Sequence, residues 1–205
     1  MKIFKIAILI FITVSCKKEA ALKVDQNDFS RAYPLKIGNY WIYRSTTFYK
    51  NGFIQPFEST DSVWIDRDTI INRRLYWIRV SSMFGSQLIT DSTGVILLKH
   101  NNEHIPIFSK RTYSDTLLKR PPFFRIMTDP NKEVTVVAGT FRTINCKTIM
   151  QMDEDGKMHD FPIHNLNFHT HEQTFFANDV GMVSRVTYFL GNRTEEDLQK
   201  YYIQH

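Results

Sequence analysis

The feature that most constrains this chain is the alternation in residues 39–49, Asn-Tyr-Trp-Ile-Tyr-Arg-Ser-Thr-Thr-Phe-Tyr, followed after Lys50 by Asn51-Gly52. Successive side chains of a strand point to opposite faces, so such a run reads as a half-buried strand and not as a helix. Asn-Gly is a strong hairpin signal, because both central residues of the tightest turn need positive φ. Similar runs recur at residues 57–66, 75–82, 86–90, 94–99, 105–108, 133–137, 141–152, 171–176, 182–189 and 197–203. Turn residues such as Asp91-Ser92-Thr93-Gly94, Asp155-Gly156 and Gly191-Asn192 separate several of them. This pattern predicts an all-β fold: a single antiparallel, strongly twisted sheet forming a half-open or closed barrel. Helix signals are few. Thr194-Glu195-Glu196-Asp197 resembles a capping box, which allows at most one or two short helices. Residues 198–203 still read better as strand. Residues 119–124 contain Pro121 and Pro122 and are expected to form a loop or an edge, since proline cannot donate into a central ladder.

The first residues, MKIFKIAILIFITVSC, carry Lys2 and Lys5 ahead of an unbroken apolar run from Ile6 to Ile12. A spanning helix needs about 20 predominantly apolar residues. This run is shorter and ends in small residues, which is how a cleaved export signal reads. Thr13-Val14-Ser15-Cys16 resembles a bacterial lipobox. That resemblance implies lipidation of the Cys16 thiol, cleavage before it and acylation of the new amino group, with two or more acyl chains giving stable anchoring. The expected organisation is a lipoprotein signal peptide over residues 1–15, a lipidated cysteine and flexible tether over 16–31, and a β domain over 32–205. The tether is polar and lacks an apolar period. Lys17 and Lys18 behind Cys16, with a single nearby acid at Glu19, favour a periplasm-facing outer-membrane placement over the cell surface.

Composition narrows the function classes. The formal charge is +5, and loss of residues 1–15 removes Lys2 and Lys5 and no acid, leaving 5 − 2 = +3. The basic pairs Arg73-Arg74, Lys110-Arg111 and Lys119-Arg120 are scattered along the chain, whereas nucleic-acid binding calls for a clustered basic face. No nucleic-acid partner is expected. The chain has two cysteines. With Cys16 lipidated, Cys146 is left without a disulfide partner. Strand alternation places it on one face with Ile144, Thr148, Met150 and Met152, so it is expected to be a buried structural thiol.

Three motifs carry a family resemblance. Tyr33-Pro34-Leu35-Lys36-Ile37-Gly38-Asn39-Tyr40-Trp41-Ile42-Tyr43 resembles the opening of a group of uncharacterised Bacteroidota-type envelope lipoproteins. Val137-Ala138-Gly139-Thr140-Phe141 is similar to their "PAGTF" turn, with valine in place of proline. Phe176-Ala177-Asn178-Asp179-Val180-Gly181-Met182-Val183 is similar to a later segment of theirs, with Asp179 where they have glycine. The resemblance implies an antiparallel half-barrel similar to the folds of periplasmic lipoprotein carriers. It brings no known activity. From the residues themselves, Gly38, Gly139 and Gly181 are expected at turns, and Trp41 and Tyr43 on one strand face as core or rim packing.

Catalytic patterns are scarce. The chain contains no Gly-x-Ser-x-Gly elbow, Walker loop or Gly-x-Gly-x-x-Gly fingerprint. His171-Glu172-Gln173-Thr174-Phe175 starts like a zinc-protease motif but has Phe175 where a second histidine must stand. Asp153-Glu154-Asp155-Gly156 reads as a solvated hairpin tip, since it lacks the alternating ligands of a calcium loop. Four of seven histidines fall between residues 158 and 173. His169 and His171, two apart on an expected strand, would share a face and could hold Zn²⁺ with help from His159 or His164. Glu172 would then point to the opposite face. The leading expectation is a non-enzymatic, lipid-anchored envelope module that binds a hydrophobic ligand or a protein partner, with no required cofactor. A zinc-dependent hydrolase and a purely structural lipoprotein are the competing readings.

Overall fold

The computed structural model describes residues 28–49, 57–111, 116–120, 122–152, 167–189 and 192–204. The leader, Cys16, the Asn51-Gly52 turn, Asp153–Gly156, His159 and His164 lie outside the described residues. Twelve strands follow one another: β1 (Tyr40–Phe48), β2 (Phe57–Ile71), β3 (Arg74–Ser81), β4 (Gly85–Ser92), β5 (Val95–His100), β6 (Glu103–Ser109), β7 (Thr116–Arg120), β8 (Phe123–Val136), β9 (Gly139–Met152), β10 (Asn167–Ala177), β11 (Gly181–Phe189) and β12 (Asn192–Tyr202). They form one antiparallel sheet in the order β6-β5-β4-β3-β2-β1-β12-β11-β10-β9-β8-β7. Two six-strand meanders are therefore joined where the first strand pairs with the last, from Tyr40↔Tyr202 to Phe48↔Arg193. No helix occurs among the described residues.

The all-β expectation holds, and the differences are instructive. Residues 194–197, read as a possible helix cap, lie inside β12. There Glu195 and Glu196 face Thr46 and Ser45 of β1 and Val186 and Arg185 of β11, and two neighbouring ladders outweigh a local cap. The β2–β3 turn uses Asn72 and Arg73, both at positive φ (51° and 63°), a pairing that sequence alone does not announce. Thr93 and Gly94 (φ 52° and 88°) make the turn expected between β4 and β5. Residues 119–124 split into the end of an edge strand, β7, and the start of β8.

The sheet curls until its two edges approach, nearly closing a barrel. Side chains bridge this seam: Arg125 Nη1 donates to Pro106 O at 3.0 Å, Cys146 Sγ to Ile107 O at 3.4 Å, and Arg120 pairs with Glu103 at 2.7 Å. Pro106 stands in the edge strand β6, where its missing N–H interrupts no central ladder.

One end of the barrel is closed in two ways. The segment before β1 crosses beneath the sheet and buries Phe29 and Ala32, so residues 28–31, expected in the tether, belong to the packed domain. Across the bulge at Asp129–Asn131, where Thr128 faces Asn145 and Lys132 faces Thr143, Asp129 and Asn131 adopt positive φ. The tip of the β8–β9 hairpin then reaches β12, with Ala138 N bonded to Leu198 O at 3.2 Å. Two apolar clusters result, one around Phe108, Ile144 and Phe176 and the other around Trp41, Val63 and Leu198. The residues of both clusters fall between Phe29 and Ile203.

Candidate functional site: a charged cavity inside the barrel

The inner face of the sheet does not close on itself. A cavity of about 560 Å³ remains between the two meanders, within the roughly 300–1,000 Å³ typical of small-molecule sites. Its walls are largely apolar, formed by Trp41, Val63 and Ile65 on one side and by Leu98, Ile105 and Ile107 on the other. Its floor is an aromatic group: Tyr33 lies 6.1 Å from Phe108 and 5.7 Å from Phe176, and Phe108 and Phe176 are 4.9 Å apart. Phe84, in the β3–β4 turn, lines the opposite end and is 64% exposed.

The three resembling motifs meet at the closed end, beneath the cavity. Asn39 is fully buried, donates to Pro34 O at 3.1 Å and accepts from Gln204 N at 2.9 Å, tying the start of β1 to the chain's other end. Trp41 Nε1 donates to Val180 O, and the Tyr43 hydroxyl donates to Met182 O at 3.1 Å. Gly181 has a φ of 96°, and a Cβ there would sit 3.3 Å from Trp41 Nε1. Ala138 and Phe141 pack on the same cluster. These motifs build the base of the barrel, and Trp41 and Tyr43 are core residues that also form cavity wall, in line with the packing role expected for them.

Charged side chains interrupt the apolar walls. Arg185 of β11 stands opposite Glu196 of β12 and is paired with it; Glu196 is only 5% exposed. Burial works against the charge on Arg185, but Glu196 and then Glu172 outweigh it and hold the guanidinium charged. Asp61 is buried and accepts from Ser81 Oγ, Ser82 Oγ and Met83 N. Glu172 accepts from Thr174 Oγ1 at 3.3 Å. Arg125 donates to Thr148 Oγ1 and Pro106 O, and Arg79 donates to Gln87 Oε1 at 2.8 Å. Burial pushes the Tyr33 and Tyr43 phenols above their ordinary value, with Arg79 and Arg185 opposing that rise at both.

Cys146 is buried as expected, and burial raises its thiol to about 12; a group so seldom ionised is a poor nucleophile. The histidine expectation meets an irregular strand. Thr170 faces Ile149 and Glu172 faces Thr148, so His171 is the bulged residue of β10. The regular alternation that would give His169 and His171 a shared face is interrupted there. The His171 ring packs against Phe123 at 5.7 Å and Phe189 at 6.5 Å, and its Nδ1 is buried without a hydrogen-bond partner. The same bulge corrects the expected orientation of Glu172, which lines the cavity. Among the described residues, no group of three or more His, Cys, Asp or Glu is placed to hold a metal.

Sequence reading missed the cavity's arginines. A signal was available: Ile78-Arg79-Val80 and Phe124-Arg125-Ile126 each set a guanidinium between two apolar residues. In an alternating strand with one face buried, such an arginine is a candidate for the inner face as much as for solvent.

No family model matches the chain, and no curated protein matches it. Among solved structures, it is similar to a Bacteroides fragilis protein described as exported with a YmcC-like fold (8% identity, 83% of this chain and 98% of that one, TM-score 0.49). It is also similar to a protein described as a lipoprotein from Parabacteroides distasonis (10% identity, 83% and 98% coverage, TM-score 0.39). A third is a LolA superfamily protein from Nitrosomonas europaea (8% identity, 88% and 91% coverage, TM-score 0.25). At such identities and TM-scores neither a family nor an activity follows from them.

Proposed function

We propose that this chain is a lipid-anchored binding module of the cell envelope that holds a hydrophobic ligand inside its β barrel. The observation that carries this reading is the cavity of about 560 Å³, walled by apolar side chains and closed at one end by the Tyr33–Phe108–Phe176 floor. A curled sheet either fills its concave face with side chains or leaves it to a guest, and here part of that face is left open. The lipobox-like residues before Cys16 support attachment to a membrane through that thiol. Lys17 and Lys18 behind Cys16 favour a periplasm-facing placement over the cell surface.

Residues 17–205, titrated with the neutral fluorophore N-phenyl-1-naphthylamine, test the cavity. The expected result is a saturable fluorescence gain that Leu98→Trp, which fills the cavity, weakens by at least about tenfold with the melting temperature recorded alongside. No gain, or equal binding by a folded Leu98→Trp variant, would sink the reading. Anchoring is tested in cells: full-length chain is expected to incorporate labelled palmitate, and Cys16→Ala to lose it.

A further inference from the structure

The cavity is more polar than a container for hydrocarbon needs to be, and its charges are unevenly matched. Arg185 is paired with Glu196, and Asp61 is satisfied by three donors from the β3–β4 turn. Arg125 shares a row of the sheet with Glu172, since Arg125 faces Thr148 and Thr148 faces Glu172, and both act on the Cys146 thiol. Arg125 donates to Thr148 and Pro106, whereas Arg79, toward the end of β3, has one hydrogen bond, to the neutral Gln87, and no carboxylate pairs with it among the described residues. A guanidinium offers five donors, so most of the hydrogen-bonding capacity of Arg79 is unspent. The Tyr33 hydroxyl, on the same cavity, has no hydrogen-bond partner among the described residues. Both residues line the cavity.

A half-buried guanidinium with no carboxylate on it gains from an anion placed against it. Guanidinium with a phenol hydroxyl is a good donor set for a carboxylate or a phosphate. Resting on the binding reading above, we infer that the ligand is an amphiphile: a single acyl chain against the apolar walls, with an anionic head held by Arg79 and Tyr33. A free fatty acid and a lysophospholipid with a phosphomonoester head share that chemistry.

The test is displacement of N-phenyl-1-naphthylamine from residues 17–205 by palmitate, 1-palmitoyl lysophosphatidate and the neutral 1-monopalmitin. The inference expects at least one anion to displace the probe about tenfold better than monopalmitin, as a charge-assisted bond requires. Arg79→Gln and Tyr33→Phe should each erode that preference, and Arg79→Lys should restore part of it, with each variant's preference referred to its own affinity for the neutral probe. Preference for palmitate alone assigns a carboxylate head; preference for lysophosphatidate assigns a phosphate. Equal displacement by monopalmitin, or an anion preference that Arg79→Gln leaves intact, overturns the inference and leaves the cavity reading standing. Failure of the wild-type domain to bind the probe at all takes down both.

Discussion

The two ends of the barrel are built on opposite principles. At the closed end the prominent polar side chains are hydrogen-bonded: Asn39 bonds Pro34 and Gln204, Trp41 and Tyr43 bond the carbonyls of Val180 and Met182, and Gly181, at positive φ, holds a close approach to Trp41. At the other end, apolar side chains stand in solvent. Phe57 is 59% exposed and Phe189 62%, and Phe48, Met83 and Phe84 join them where β1 and β2 meet and β3 turns into β4. Exposed apolar residues also occur toward the base, such as Val137 (75%) and Ile70 (73%), and singly they need no explanation; what separates the two ends is the hydrogen bonding of the base. The contrast teaches where to look: the recognisable motifs mark the base that must be rigid, and the ligand-facing residues carry no motif.

The largest expected effect comes from breaking the base. Trp41→Ala removes a buried indole and its bond to Val180, and should destabilise the domain by about 3–5 kcal/mol in urea unfolding. A loss below about 1 kcal/mol would mean that the base is not what holds the barrel. Alkaline pH gives a smaller, graded effect on the same buried region. The Cys146 thiol ionises at its ordinary 9.0 when unfolded and only at about 12 when folded. Between those values the unfolded chain releases a proton that the folded chain keeps, so stability is full below 9 and falls as pH rises, by about 1.4 kcal/mol per unit from this group. Burial acts on Tyr43 in the same direction. Unfolding followed from pH 8.5 to 11 should show the decline, and Cys146→Val should make it shallower; an unchanged slope would remove Cys146 as a cause. The smallest effect lies at the open end. Phe84→Ser should change stability by no more than about 0.5 kcal/mol. It should still weaken ligand binding by about threefold, because Phe84 lines the cavity entrance. A large loss of stability there would erase the distinction between the two ends.

Much of the sheet was legible because alternation is a local signal. Residues 39–49 and 141–152 read as strands, and β1 and β9 lie where they do. Cys146 read as a buried thiol from its neighbours two and four residues away, and it is one. Legibility stopped where register changes. The bulge at His171 reverses the face of Glu172, and no residue type in Thr170-His171-Glu172 announces an extra residue in the ladder. The length of β8 was also hidden, since Asp129, Pro130 and Asn131 look like a turn, and the structure absorbs them as a bulge within a single strand.

By itself, then, the sequence determined the class of the fold and the residues of its base, since alternation, turn chemistry and the Gly38-Asn39-x-Trp41 opening act over a few residues. Only the tertiary structure decided that β1 pairs with β12, that a cavity stays open, and that Arg79, bonded to Gln87, and Tyr33 line it. Those facts depend on the closure of the whole sheet, through contacts such as Trp41 with Val180, 139 positions apart, and on bulges that shift faces within strand pairs and that no local residue pattern announces.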